Sequence, residues 1–209
     1  MTGRSADVAV LRTGSANLAS VLAALRRLGT DPEVTRDPEV VERAPRLVVP
    51  GVGTLAAAMA ALSQGGLVAP LVARIAAGRS TLAICLGLQL LGATSDESPG
   101  VAGIGAFPGR STRFPTSVRA PQLGWNSVAP DGACRLLEPG YAYFANSYRI
   151  VEPPAGAAAA YSEYGGRFVA AFERDGVVAC QFHPELSGPY GLGLMERWLG
   201  AAAGGGASC

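Results

Sequence analysis

The sequence predicts an α/β fold: a mainly parallel central sheet flanked by helices, with an antiparallel strand extension. Three observations lead there. As far as about Gly105, apolar strand-like stretches alternate with apolar repeats at helical spacing, the pattern of parallel strands joined by crossover helices. Beyond that point the apolar stretches shorten and are broken by Gly and Pro, which reads as short, often antiparallel strands. Between the two textures, a strand at Thr81–Ile84 runs without a spacer into a helical segment at Cys85.

Each element follows from local chemistry. Val8–Leu11 is a short, wholly apolar strand, and Thr13 to Asn17 form a turn rich in capping residues. From Leu18, Val21, Leu22, Leu25 and Leu28 recur at helical spacing until Gly29 ends the run. Val34 belongs to a second strand and Leu47–Val49 to a third, closed by Pro50-Gly51-Val52-Gly53. Helices are expected over Leu55–Leu62 and Leu67–Ala77, with Gly78 suited to the left-handed position after the latter. Leu86–Leu91 is the helix that starts at Cys85. In the second half, Val118, Trp125–Val128, Tyr141–Ala145, Ala157–Tyr161, Phe168–Glu173 and Val177–Phe182 read as strands, and a helix near Gly191–Leu199 closes the fold. With no internal repeat or linker, residues 1–200 read as one domain and the small, Gly-rich 201–209 as a flexible tail.

Composition excludes several classes of function. Among 209 residues, 49% are hydrophobic, enough for a substantial core. The 17 basic and 16 acidic side chains nearly balance, so no global field points to nucleic acid or an anionic membrane. No apolar run reaches the roughly 20 residues of a membrane span, and the N-terminus is too weakly hydrophobic for a signal peptide; the expectation is a cytoplasmic protein. The four cysteines form no CxxC pair and there is a single histidine, too few ligands for a zinc site of the usual His and Cys type. Neither a metal nor a cofactor is expected.

Three segments carry chemistry. In Ala83-Ile84-Cys85-Leu86-Gly87 the strand turns sharply into a helix, the setting of a nucleophile elbow. Small neighbours let the backbone bend, the helix N-terminus favours the thiolate, and the Leu86 N–H would face an oxyanion beside Cys85. Taken alone, the segment equally fits a buried structural cysteine. In Gln181-Phe182-His183-Pro184-Glu185, the sole histidine precedes an acid by two residues. Glu185 can fix one ring nitrogen, leaving the other to take a thiol proton; a lone histidine is otherwise a satisfied structural residue. Pro50-Gly51-Val52-Gly53 can aim backbone N–H groups into a site or be an ordinary turn, and it lacks the ending of a phosphate-binding P-loop.

Together these segments resemble the class I glutamine amidotransferases, whose flavodoxin-like glutaminase domain uses a Cys-His-Glu triad. Val49–Gly53, Ile84–Leu91, Gly124-Trp125-Asn126, Gln181–Glu185, Gly14–Leu18 with Ser20-Val21, and Tyr143-Phe144 with Ser147-Tyr148 look like the glutaminase subunits of imidazole glycerol phosphate synthases. The matches run in order over nearly the whole chain. The resemblance implies that Cys85, His183 and Glu185 are catalytic and that the N–H groups of Leu86 and, after a backbone flip, Val52 hold the oxyanion. In the resting subunit the Val52 N–H is then expected to turn away from Cys85. It further implies that Gly51, Gly53, Gln89, Asn146, Ser147 and Tyr148 bind L-glutamine. Asn17, Gln122, Trp125, Asn126 and Leu186 would meet a (β/α)₈ barrel synthase subunit, a heterodimer partner that receives ammonia through a tunnel and works in histidine biosynthesis.

The chain departs from that pattern at Gln122 and Asn146, each histidine in the usual motif, and at Leu186, usually a lysine that pairs with the barrel. Arg12-Thr13 stands for Asp-Tyr, and Ala16 and Ala83 stand for glycines. The expectation drawn from these is a conserved chemistry with an altered partner-facing surface, open to a paralogue that feeds ammonia to another synthase in sugar or natural-product biosynthesis. A free-standing cysteine amide hydrolase is a competing reading, as is a binding protein that has lost activity. The first would need its own specificity pocket; the second is disfavoured by the intact triad. No residues beyond the glutaminase motifs remain to build an acceptor site, so an amidotransferase of this size needs a partner.

Overall fold

The computed structural model describes residues 7–14 and 17–201. Ala16, the tail 202–209 and Cys209 therefore lie outside the described residues. In chain order the elements are β1 (Ala9–Leu11), α1 (Leu18–Arg27), β2 (Glu33–Thr35), α2 (Pro38–Arg43), β3 (Leu47–Gly51), α3 (Leu55–Gln64), α4 (Val68–Ala76), β4 (Thr81–Cys85), α5 (Leu86–Leu91), β5 (Thr94–Ser95), β6 (Arg110–Arg113), β7 (Gln122–Pro130), β8 (Gly140–Asn146), β9 (Tyr148–Ile150), β10 (Ala158–Glu163), β11 (Arg167–Arg174), β12 (Val177–Cys180) and α6 (Gly188–Gly200), with a 3₁₀ turn at Pro184–Leu186 before α6.

The nine-stranded sheet has the order β2-β1-β3-β4-β12-β11-β10-β7-β8. Its first five strands are parallel, and from β11 onward each pairing is antiparallel. A three-stranded sheet, β5-β6-β9, lies apart from it. Residues alternate across the main sheet with the period of two that strands impose. Val10, Val48, Leu82, Ile84, Val178 and Cys180 face α1 and α6, where Val21, Leu25, Leu194, Met195 and Trp198 are buried. Leu11, Leu47, Val49, Ala83 and Ala179 face the other way, against Val41, Leu55, Leu62, Leu71 and Leu88. The strands therefore bury both faces, which is why the sequence shows them as continuous apolar runs.

Several elements differ from the sequence-based expectation. Helix α2 has six residues and one buried apolar side chain, Val41, too little for a helical period to register. It is held by Asp37, whose carboxylate accepts from the N–H groups of Glu39 at 2.8 Å and Val40 at 3.5 Å. Strands β5, β6 and β9 are short and mostly polar and carried no strand signal. Val118 lies in a bend, not a strand, and β12 stops at Cys180, so Gln181 and Phe182 are bend residues. Helix α6 begins at Gly188, ahead of the expected Gly191.

Arg74 anchors the strand that carries Cys85. It is fully buried and pairs with backbone carbonyls and a hydroxyl rather than with a carboxylate among the described residues. Its Nε donates to Thr81 Oγ1 at 3.0 Å, and its terminal nitrogens donate to the carbonyls of Val41, Glu42, Ala44 and Ser80 at 2.5–3.3 Å. Burial, with Arg79 nearby, lowers its pKa to about 10. No single helix among the described residues is long and apolar enough to cross a membrane. Helices α3 and α4 together have the composition, but they are bent by 99° at their junction and bury Leu55, Leu62 and Leu71 in the core.

Candidate active site

The site stands at the carboxyl end of β4, where β3, β4 and β12 finish side by side. Gly51 is the register partner of Cys85, and Ile84 that of Cys180. Cys85 has φ 55° and ψ −107°, a region that costs a non-glycine residue on the order of 1–3 kcal/mol and that marks functional turns. The turn closes only because its neighbours are small. A Cβ on Gly87 would fall on the carbonyl oxygen of Val49, and one on Gly51 would lie 2.8 Å from Leu86 Cβ. The helix thus starts directly at Cys85 and leaves the sulfur at the edge of a cavity of about 350 Å³.

His183 reaches the same cavity from the bend after β12. Its backbone N–H donates to the Tyr143 carbonyl at 2.9 Å, and its own carbonyl accepts from Ser187 Oγ at 2.6 Å. Ser187 Oγ in turn accepts from the Tyr143 N–H at 2.9 Å, so the histidine is pinned between β8 and the 3₁₀ turn. Glu185 Oε1 lies 2.9 Å from His183 Nδ1 with both side chains buried. Burial alone would lower the imidazole pKa. Hydrogen bonds with Cys85 and Glu185, and the charges of both, outweigh that effect and raise it to about 10. The charged imidazolium is therefore the form that this setting favours.

The other described cysteines lack this setting. Cys180 is sealed in the core, where burial, Glu185 and Cys85 push its thiol well above the usual range. Burial, Glu173 and Asp131 push Cys134 up to about 11. Neither faces a histidine.

Of the site residues expected from sequence, Val52, Gly53, Cys85, Leu86, Gln89, Asn146, Ser147, Tyr148 and His183 line the cavity. Gly51 does not; it is buried behind Leu86. Of the partner-facing set, Trp125 is 59% and Leu186 40% exposed, and Asn17 is exposed. Asn126 is half-buried and tied to the fold, its amide donating to the Glu163 carbonyl at 2.9 Å. Gln122 is buried in this chain, as is Asn146, and the two are cross-strand partners on β7 and β8. The two departures from the family pattern therefore lie opposite one another in the sheet.

Two polar residues at the site carried no assignment from sequence. Glu97 lines the cavity while its Oε2 accepts from the Leu55 N–H at 3.2 Å; it sits on a loop without periodicity or motif. Gln181 is fully buried, and its amide nitrogen donates to Cys85 Sγ at 3.5 Å. The signal available was a polar residue ending an apolar strand two positions before His183. Among the described residues no group of three or more His, Cys, Asp or Glu side chains is placed to hold a metal ion. A cavity of about 320 Å³ at the opposite end of β12, between Val72, Phe107 and Val177, holds no nucleophile.

The site thus sets a strand-to-helix cysteine and a histidine on one cavity, with a glutamate against the histidine, at the end of the parallel strands β2-β1-β3-β4. The chain belongs to the family described as glutamine amidotransferase class-I, which matches residues 9–199. More narrowly, it is 42% identical over 195 residues to the imidazole glycerol phosphate synthase subunit HisH of Methanothermobacter thermautotrophicus, covering 92% of this chain and 97% of that one. It is 40% identical over 197 residues to the subunit of the same name from Pectobacterium atrosepticum, covering 92% and 98%. Among solved structures, a crystal structure of a glutamine amidotransferase shares the fold with a TM-score of 0.75 at 21% identity, over 93% of this chain and 98% of that one.

Proposed function

We propose that the chain is the glutaminase subunit of an imidazole glycerol phosphate synthase. It hydrolyses L-glutamine and passes the ammonia to a barrel synthase subunit, as a cytoplasmic heterodimer with one amidotransferase domain. The observation that carries this reading is that Cys85 and His183 line one cavity while Glu185 Oε1 lies 2.9 Å from His183 Nδ1. The 42% identity to a subunit named for that synthase supports the pathway.

Cys85 Sγ attacks the side-chain amide carbon. The N–H of Leu86, and that of Val52 once its peptide has flipped, stabilise the oxyanion. His183, protonated and held by Glu185, gives its proton to the leaving nitrogen, which departs as ammonia and leaves a thioester. Water, deprotonated by His183, then attacks the thioester and releases glutamate. Glu97 gives the substrate's α-ammonium an anionic partner, and Gln89 with the Asn146–Tyr148 segment holds the rest. The exposed Trp125, Leu123 and Tyr141, at 59–66%, form the apolar surface for the barrel.

The test is glutamine hydrolysis by the chain alone and with the barrel subunit. Hydrolysis that rises with the partner and vanishes in Cys85→Ser is expected; unchanged turnover in Cys85→Ser overturns the mechanism. Leu186, exposed where the resemblance implies a lysine, favours one second reading, a paralogue serving another synthase. Activation by a histidine-pathway barrel counts against that reading.

A further inference from the structure

Gln181 makes and breaks no bonds in this chemistry, yet its side chain touches the reacting sulfur. Its backbone N–H donates to the Ala170 carbonyl at 2.8 Å, fixing its main chain to β11. Its side-chain oxygen accepts from Gln89 Nε2 at 2.9 Å, and its Nε2 donates to Cys85 Sγ at 3.5 Å. Gln89 Nε2 also donates to the Tyr148 carbonyl at 3.3 Å.

The direction of this chain is set by the backbone. A carbonyl oxygen can only accept, so Gln89 must turn its NH₂ toward Tyr148. That same NH₂ meets Gln181, which must answer with its oxygen. The Gln181 NH₂ is then left facing the sulfur. A carboxamide N–H donates and cannot accept there, so it favours the ionised sulfur over the thiol. Gln181 is fully buried, and the low polarity around it strengthens such a contact.

We propose that Gln181 is a positioning residue for Cys85: the relay from the Tyr148 carbonyl through Gln89 to Gln181 holds the sulfur in place and favours its ionised form alongside His183. This rests on Cys85 being the nucleophile. It adds a second donor to the sulfur and ties that donor to Gln89 and Tyr148, which line the glutamine cavity.

The test is the pH profile of Cys85 alkylation by iodoacetamide in the full chain, read by peptide mass spectrometry. Gln181→Met keeps the length and removes the donor. The profile is expected to move to higher pH by about one unit, with alkylation at neutral pH falling roughly tenfold and the high-pH plateau unchanged. Gln181→Glu, which sets a carboxylate against the sulfur, moves it further the same way. A purely structural role lowers the melting temperature and leaves the profile where it was, and a Gln181→Met profile that superimposes on the wild type overturns the proposal. Should that variant not fold, Gln89→Met, which frees the Gln181 amide to rotate, is expected to give a smaller shift in the same direction; no shift overturns it. Glutamine is absent from this assay. Failure to hydrolyse glutamine therefore counts against the proposed function alone, and an unmoved profile against the relay alone.

Discussion

Replacing Gly87 by alanine tests whether the elbow depends on contact between backbones. The added Cβ would land on the Val49 carbonyl oxygen, with the carbonyl carbon 3.1 Å and Val49 Cγ1 3.6 Å away. The obstacle is main chain of β3, which pairs with β1 on one side and β4 on the other, so it cannot swing aside as a side chain could. Overpacking of this kind costs about 1–3 kcal/mol. For a chain of this size that lowers the melting temperature by roughly 2–12 °C. Because the strain falls two residues from Cys85, alkylation of that cysteine should slow as well. Gly29→Ala is the control: its φ is +81° with nothing within 4 Å of a Cβ. It carries only the left-handed penalty of about 1–2 kcal/mol and leaves Cys85 reactivity unchanged. Calorimetry and timed alkylation of both variants decide the matter. A Gly87→Ala protein that melts and reacts like the wild type refutes the close-approach reasoning.

His183 makes stability depend on pH. Its pKa of about 10 in the folded chain exceeds the ordinary 6.5. Its stabilisation is therefore complete below about pH 6.5 and is lost as pH rises through about 10. Urea denaturation should show a decline on the order of a few kcal/mol across that window, flattened in Glu185→Gln; identical curves for the two proteins contradict it. Arg74→Lys cannot reproduce the fork that reaches five oxygens and should cost about 2–4 kcal/mol in denaturant, whereas the exposed Arg43→Lys should cost almost nothing; equal effects contradict the anchoring role. Trp125→Ala should leave the melting temperature nearly unchanged and weaken binding to the barrel subunit at least about tenfold by titration calorimetry; unaltered affinity removes Trp125 from the docking surface.

The parallel half of the sheet was legible because its strands bury both faces, so Leu47–Val49 and Thr81–Ile84 stand out as unbroken apolar runs. The elbow was legible for a related reason: strand and helix abut at Cys85, and only small residues permit the turn. The polar strands β5, β6 and β9 were not legible, since register with neighbours, rather than any apolar period, makes them strands. The site divided in the same way. Cys85, His183 and Glu185 are chemically distinctive residues in recognisable spacing. Gln181 and Glu97 are ordinary polar residues whose relevance comes from where the fold delivers them. Gln122 and Asn146 were assigned by resemblance alone; the burial of both, as cross-strand partners on β7 and β8, depends on strand register that no local pattern shows.

The central claim is that Cys85 attacks the amide carbon of glutamine in the cavity it shares with His183. The most direct measurement is labelling by 6-diazo-5-oxo-norleucine, a glutamine analogue whose diazoketone replaces the amide and loses dinitrogen on capture by a thiolate. One label per chain on the Cys85 peptide, slowed by added glutamine and absent from Cys85→Ser, is the predicted result. Label on Cys134, Cys180 or Cys209, or label that persists in Cys85→Ser, contradicts the account.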